Sequence, residues 1–301
     1  MACRSRRDFL RLAGAAGAAT VVGGGAGVGL VSAQTKRSAT DWVTLGNSGV
    51  KVTRLAFGTG TFGGRVQREL GQKEFTKLVR HAYDRGIRFF ESADAYNEMH
   101  EMLAEALRGV PRDTYKLMTK YRLRETAPPQ ETIDRFRREL NSEYFDILLL
   151  HCVRTHDWPE RFKPLEDAFA GAKAKKTILS HGASVHGLLP LRQFPTMTKW
   201  LDVALMRINH DGTRMDNLES ETDQKGVVPE VVSHIQTVRK AGVGVLGMKL
   251  IGEGQFKDPA QRDASLRYVM KLGTVDAVTI GFKSTAEIDE AIERINTHLN
   301  S

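Results

Sequence analysis

The sequence has two cysteines in 301 residues, and that scarcity removes several kinds of protein. Cys3 sits near the N-terminus and Cys152 stands alone in the remainder. Iron–sulfur clusters and thiolate zinc centres each need several cysteines, so both are excluded. Cys152 has no evident disulfide partner. No long Lys/Arg tract is present, which argues against nucleic acid as a partner. After Gln34 there is no low-complexity linker and no repeat, so nothing marks a domain boundary there. The chain also lacks a Gly-rich phosphate fingerprint after its first strand-like run, against an open, doubly wound nucleotide-binding sheet. One long apolar stretch is present, Leu12 to Val31, and it lies at the start.

That start reads as a targeting segment. Ser5-Arg6-Arg7-Asp8-Phe9-Leu10 precedes the apolar stretch, which ends in the small residues Val31-Ser32-Ala33. The pattern resembles a twin-arginine export signal, whose pathway carries folded proteins. It implies a signal peptide over residues 1–33, a mature domain over 34–301, periplasmic export and the twin-arginine machinery as a partner. Seven glycines keep the segment's hydrophobicity low and favour cleavage over a retained anchor. Cleavage would leave 268 residues; four Arg and one Asp would depart, lowering the net charge from +8 to +5. Mild positive charge of this kind suits a phosphate-bearing ligand.

The mature chain begins with a hairpin pattern, Trp42–Leu45 and Val50–Val52 around Gly46-Asn47-Ser48-Gly49. Strand-like runs then recur at Arg54–Phe57, Ile87–Phe90, Tyr115–Thr119, Phe145–Leu150, Ile178–Ala183, Val203–Ile208, Val243–Met248 and Ala277–Ile280. Helical spacing separates them, as in Phe75, Leu78, Val79 and Ala82. Ile133, Phe136 and Leu140 form another stripe, with Arg135, Arg137 and Arg138 expected on a solvated face. Eight strand–helix pairs predict an α/β fold, a (β/α)8 TIM barrel preceded by a β-hairpin.

A barrel of this kind carries its chemistry just after the strands. The polar residues there are Glu91 and Tyr96 after the second run, Lys120 at the end of the third and His151 after the fourth. A phenol titrates near pH 10, too high for easy proton transfer at neutrality. An adjacent ammonium is expected to lower it, a carboxylate to hold that ammonium, and an imidazole to orient a substrate oxygen. The set suits carbonyl reduction. Singly, each has a plainer reading as a surface lysine, a loop acid or a core histidine.

Here the chain resembles the aldo/keto reductases over nearly all its mature length. Leu45 to Val52 is similar to that family's N-terminal hairpin, and Phe57-Gly58-Thr59-Gly60-Thr61-Phe62-Gly63-Gly64 to its first strand end. Phe90-Glu91-Ser92-Ala93-Asp94-Ala95-Tyr96, Thr119-Lys120 and Leu150-His151 resemble its catalytic motifs. The resemblance implies that Tyr96 is the general acid, Lys120 tunes it and His151 orients a small-molecule carbonyl substrate. It implies an NADP(H) cofactor at the barrel mouth, touching Thr59, Gly60, Ser184, Met248 and Lys249. Lys283 and Ser284 would meet the 2′-phosphate, and Glu290 the adenosine.

The departures are specific. Glu91 replaces the family's Asp, and one more methylene moves a carboxylate by roughly 1.5 Å. An offset near 1 Å can cost about a hundredfold in rate. Val185, Leu205 and Met248 stand where an amide, a glutamine and an aromatic ring would hold nicotinamide, and Glu287 replaces an Arg. These leave a second reading, a dinucleotide- or ligand-binding barrel without turnover. A third, a metal-dependent sugar isomerase or epimerase, needs convergent carboxylates and histidines. The later strands instead end in Ser184, Asn209, Lys249 and Gly281, and no metal site is expected. Phe62, His156, Trp158, Asn209 and His210 are candidates for the substrate pocket.

Overall fold

The computed structural model describes residues 36–219 and 224–301. The expected signal over residues 1–33 lies outside them. Among the described residues no helix is long and apolar enough to cross a membrane.

A two-stranded antiparallel hairpin, β1 (Trp42–Thr44) and β2 (Lys51–Thr53), opens the described chain. Eight parallel strands follow: β3 (Leu55–Gly58), β4 (Phe89–Glu91), β5 (Lys116–Arg122), β6 (Phe145–Val153), β7 (Ile178–Val185), β8 (Val203–Arg207), β9 (Gly244–Met248) and β10 (Ala277–Gly281). They pair in chain order, and β10 returns to β3 to close the barrel. The expected barrel and hairpin are both present, with strand ends shifted by at most three residues. The largest extensions are at the C-terminal ends of β5 and β6, where Lys120 and His151 fall inside the strands.

Short helices α1 (Arg65–Arg68), α5 (Trp158–Arg161) and α7 (Leu188–Leu191) sit in the connections. The outer layer is α2 (Gly71–Asp84), α3 (Met99–Ala106), α4 (Pro129–Glu139), α6 (Lys163–Ala174), α8 (Val228–Lys240), α9 (Pro259–Leu272) and α10 (Thr285–Leu299). Their apolar stripes face the sheet. Phe75, Leu78, Val79 and Ala82 of α2 are buried, as are Ile288, Ile292, Ile295 and Leu299 of α10. Each large side chain buried in this way contributes about 1.5–3 kcal/mol. Helix α9 starts cleanly because Asp258 accepts from Ala260 N at 2.9 Å with Pro259 behind it, and it stops at Gly273.

Because strand residues alternate between faces, every second residue enters the barrel. Ala56, Phe89, Met118, Ile147, Leu149, Val203, Leu205, Leu246 and Ala277 form that inner core, joined by Leu45, Val50 and Val52 of the hairpin region. The same alternation carries Gly58, Glu91, Lys120 and Thr279 inward, where the apolar filling ends and a polar mouth begins.

Candidate active site

Glu91 is the last residue of β4, and Lys120 lies on the neighbouring strand β5. Both are almost fully buried, at 4% and 2% exposure. The Lys120 ammonium is ion-paired with Glu91 Oε1. It also donates to the Ser92 carbonyl at 2.9 Å and to the Tyr96 hydroxyl at 3.2 Å. The loop after β4 makes this meeting happen by continuing along β5. Ser92 N donates to Met118 O at 2.9 Å, and Asp94 N to Lys120 O at 3.1 Å. A tight turn, Tyr96 N to Ala93 O at 3.0 Å, then folds the phenol back over the lysine. Its tip lies against the loop after β3, where a Cβ on Gly60 would fall 2.5 Å from the Tyr96 oxygen. A side chain there would have to push the Tyr96 ring aside. The His151 ring meets Tyr96 edge-on, centroids 5.4 Å apart at 86°. The four residues singled out in the sequence are therefore brought together.

Their electrostatics correct one expectation. The Tyr96 phenol is pushed well above its ordinary range, first by burial and then by the Glu91 carboxylate, rather than lowered by Lys120. Burial outweighs the nearby ammonium, and at neutral pH the group holds its proton. Lys120 is lowered by burial, against which Glu91 acts. His151 is driven well below its usual range by burial, then by Lys120, His186, Arg122 and Arg154, and is neutral. A protonated phenol beside a neutral imidazole is a proton donor with an oriented neighbour.

From this mouth a groove of about 500 Å³ runs between β3, β9 and β10 to helices α9 and α10. Gly60, Phe62, Met248, Lys249, Lys283 and Glu290 line it, with Leu205. Lys249 has left-handed backbone (φ 65°) and pairs with Glu253 at 2.5 Å. Glu290 is held by Arg262 and Arg294, each at 2.9 Å. Lys283 reaches Glu287 at 4.0 Å. Ser284 is outside the lining, and its hydroxyl caps α10 by accepting from Glu287 N at 3.3 Å. Thr59 and Ser184 lie beneath the surface, each with a buried hydroxyl that finds no partner among the described atoms.

Not every residue expected at the substrate pocket is found there. Trp158 is not a pocket residue: it is fully buried against Phe194 and Trp200 and donates to Pro190 O at 3.1 Å. Asn209 is spent on structure, donating to Thr213 O and Lys249 O at 2.7 and 3.1 Å and accepting from Gly212 N. Phe62 stands at the groove rim, while His156 is exposed and His210 packs on Phe256. Arg135 is no solvated arginine. It joins Asp94, Glu125 and Glu139 at 3.0, 3.0 and 2.8 Å, bracing the Tyr96 loop from outside the barrel. Glu139 is four residues on along α4, but Asp94 is 41 residues away and Glu125 lies outside the helix, so helical spacing could not show those two. Arg262 and Thr279 were missed for the same reason, their partners lying 28 and 188 residues away; Glu253 and Arg294 pair at helical spacing with Lys249 and Glu290 and were simply not singled out. Among the described residues no three His, Cys, Asp or Glu side chains converge as a metal would need, which leaves the isomerase reading without a site there.

The profile of the Aldo/keto reductase family matches residues 54–296. The chain belongs to the aldo/keto reductase family. Among curated relatives, it is 27% identical over 126 residues to probable aldo-keto reductase 1 of Glycine max. That match covers 38% of this chain but only 36% of the soybean protein. The fold of this aldo/keto reductase is shared with a Pseudomonas aeruginosa protein assigned to the same group, with TM-score 0.70 at 20% identity. That likeness covers 87% of this chain and 97% of the other. An aldo-keto reductase from Klebsiella pneumoniae, solved in complex with NADPH, gives TM-score 0.62 at 14% identity, covering 84% and 89%.

Proposed function

We propose that this aldo/keto reductase is an NADP(H)-dependent oxidoreductase that reduces an aldehyde or ketone. The observation that carries the reading is the Lys120 ammonium, bound at once to Glu91, Ser92 O and the Tyr96 hydroxyl. Bound cofactor would supply the hydride. The residues present fit a dinucleotide: a groove of about 500 Å³ reaches the mouth, lined by Lys120 there and by Lys249, Arg262, Lys283 and Arg294 further along. Lys249, Arg262, Lys283 and Arg294 would hold phosphates, and the NADPH-bound relative supports the same choice.

In this reading Tyr96 donates its proton to the carbonyl oxygen. Lys120 stabilises the phenolate left behind, and Glu91 keeps the ammonium charged and in place. Neutral His151 holds the carbonyl oxygen by one hydrogen bond. A folded protein exported by the twin-arginine route would carry its cofactor with it. A second reading, binding without turnover, is favoured by the apolar, buried Val185, Leu205 and Met248. Purified protein decides between them. Bound dinucleotide released on denaturation, together with NADPH oxidation by simple aldehydes, supports the reductase. Bound dinucleotide with no oxidation supports the binding barrel.

A further inference from the structure

Glu91 uses only one of its oxygens on Lys120. The other, Oε2, accepts from the Thr279 hydroxyl of β10 at 3.3 Å. These residues belong to strands that do not pair with each other: β4 and β10 lie on either side of β3. They meet because β3 offers bare backbone at Gly58. A Cβ there would stand 2.6 Å from Thr279 Oγ1 and 3.0 Å from Glu91 Oε2. Glycine thus opens a passage over one strand, and a glutamate carboxylate lies in it between a lysine and a threonine.

We propose that Thr279 is a positioning residue that, through Glu91, fixes Lys120 against Tyr96. The proposal rests on the reductase reading for its kinetic consequence but not for the placement itself. A glutamate has one more torsion than an aspartate, so an ion pair at one oxygen leaves its carboxylate free to roll. A carboxylate oxygen this deeply buried also needs a donor. Thr279 supplies that donor and removes the roll. An aspartate, shorter by roughly 1.5 Å, could not hold Lys120 and Thr279 together. Thr279, reaching across the gap that Gly58 leaves, is therefore the local adaptation to the longer acid, and Glu91→Asp lowers activity instead of raising it.

The test is Thr279→Val, which keeps the shape and removes the hydroxyl, alongside Thr279→Ser, which keeps the hydroxyl. Each is measured with NADPH and a simple aldehyde, in the parent and in Glu91→Asp. The Lys120 ammonium resonance, assigned by its loss in Lys120→Met, is followed by NMR in parallel. Thr279→Val should lower kcat about tenfold with KM within twofold, and Thr279→Ser should stay within twofold of the parent. In Glu91→Asp, adding Thr279→Val should change kcat by less than twofold. The Lys120 resonance should move with Val and not with Ser. Equal losses in both backgrounds would overturn the proposal, since Thr279 would then act elsewhere. An unshifted resonance overturns it too. If the parent reduces nothing, the reductase reading fails, and the resonance still decides whether Thr279 places Glu91 on Lys120.

Discussion

The two ends of the groove are built oppositely. At the mouth, Lys120, Glu91 and Tyr96 already stand in the contacts that proton transfer needs. At the far end, the cations that would meet phosphates are held by the protein's own acids: Lys249 by Glu253, Arg262 and Arg294 by Glu290, Lys283 by Glu287. The mouth is preorganised, so little rearrangement stands between binding and chemistry. On the proposed reading the far end exchanges internal ion pairs for a ligand's phosphates, so its affinity is a difference between two sets of contacts. Rate and affinity should accordingly respond to different residues.

The largest expected effect breaks the mouth. Tyr96→Phe keeps the ring and removes the transferable proton, and carbonyl reduction should fall by about a hundredfold to ten-thousandfold. NADPH binding, measured by fluorescence titration, should change little, because Tyr96 is not among the groove's ion pairs. A variant reducing aldehydes within a few-fold of the parent would remove Tyr96 from the proton-donor role.

Acid separates the two ends by pH. His151 is depressed in the fold, so below its unfolded pKa of about 6.5 the unfolded chain takes up a proton that the native one refuses. Its stabilising contribution is full above that pH and is lost as pH falls toward the folded pKa. His181, depressed to about 4 by burial, acts in the same window. Glu290 is lowered by its bonds to Arg262 and by Arg294, so its contribution is full above about pH 4.5 and is lost only below. Chemical denaturation across pH should show two falls. The first is partly offset by Glu166, whose carboxyl is pushed up to about 7 by burial and which therefore gains stability as pH falls through that range. His151→Gln should flatten the first by up to about 1.4 kcal/mol per pH unit, and Glu290→Gln should flatten the second. A first fall untouched by His151→Gln would place its proton uptake elsewhere.

The barrel was legible because its signal is local: strand runs and helical stripes repeat within windows of a dozen residues. The mouth was legible because Glu91, Tyr96, Lys120 and His151 each lie in or just beyond the C-terminal part of a strand, within a recognisable motif. The far end was not. Arg262 meets Glu290 across 28 residues and from a different helix, and nothing near Arg262 announces it. Thr279 looks like any strand threonine until Gly58 brings it to Glu91. Trp158 and Asn209 show the converse, since residues beside a pocket in sequence are turned into the core by their own hydrogen bonds.

The smallest expected effect sharpens the far end. Glu287 stands where the family resemblance places an arginine, and its carboxylate folds back onto the start of α10. Oε2 accepts from Lys283 N at 2.9 Å, and the Lys283 ammonium is 4.0 Å from Oε1. Both side chains are substantially exposed, 68% for Lys283 and 38% for Glu287, so solvent screens the pair and its worth is small. Glu287→Gln keeps an acceptor for the Lys283 amide and removes the charge that competes for its ammonium. If Lys283 meets the 2′-phosphate, NADP affinity should rise about twofold to fivefold, the range of a surface ion pair of 0.5–1 kcal/mol. Affinity for NAD, which has no phosphate at that position, should not change. Raised salt should shrink the gain, because the term is an exposed electrostatic one. An equal rise for both cofactors would place Glu287 near the shared pyrophosphate, and no rise for either would move the 2′-phosphate away from Lys283 toward Arg262 and Arg294.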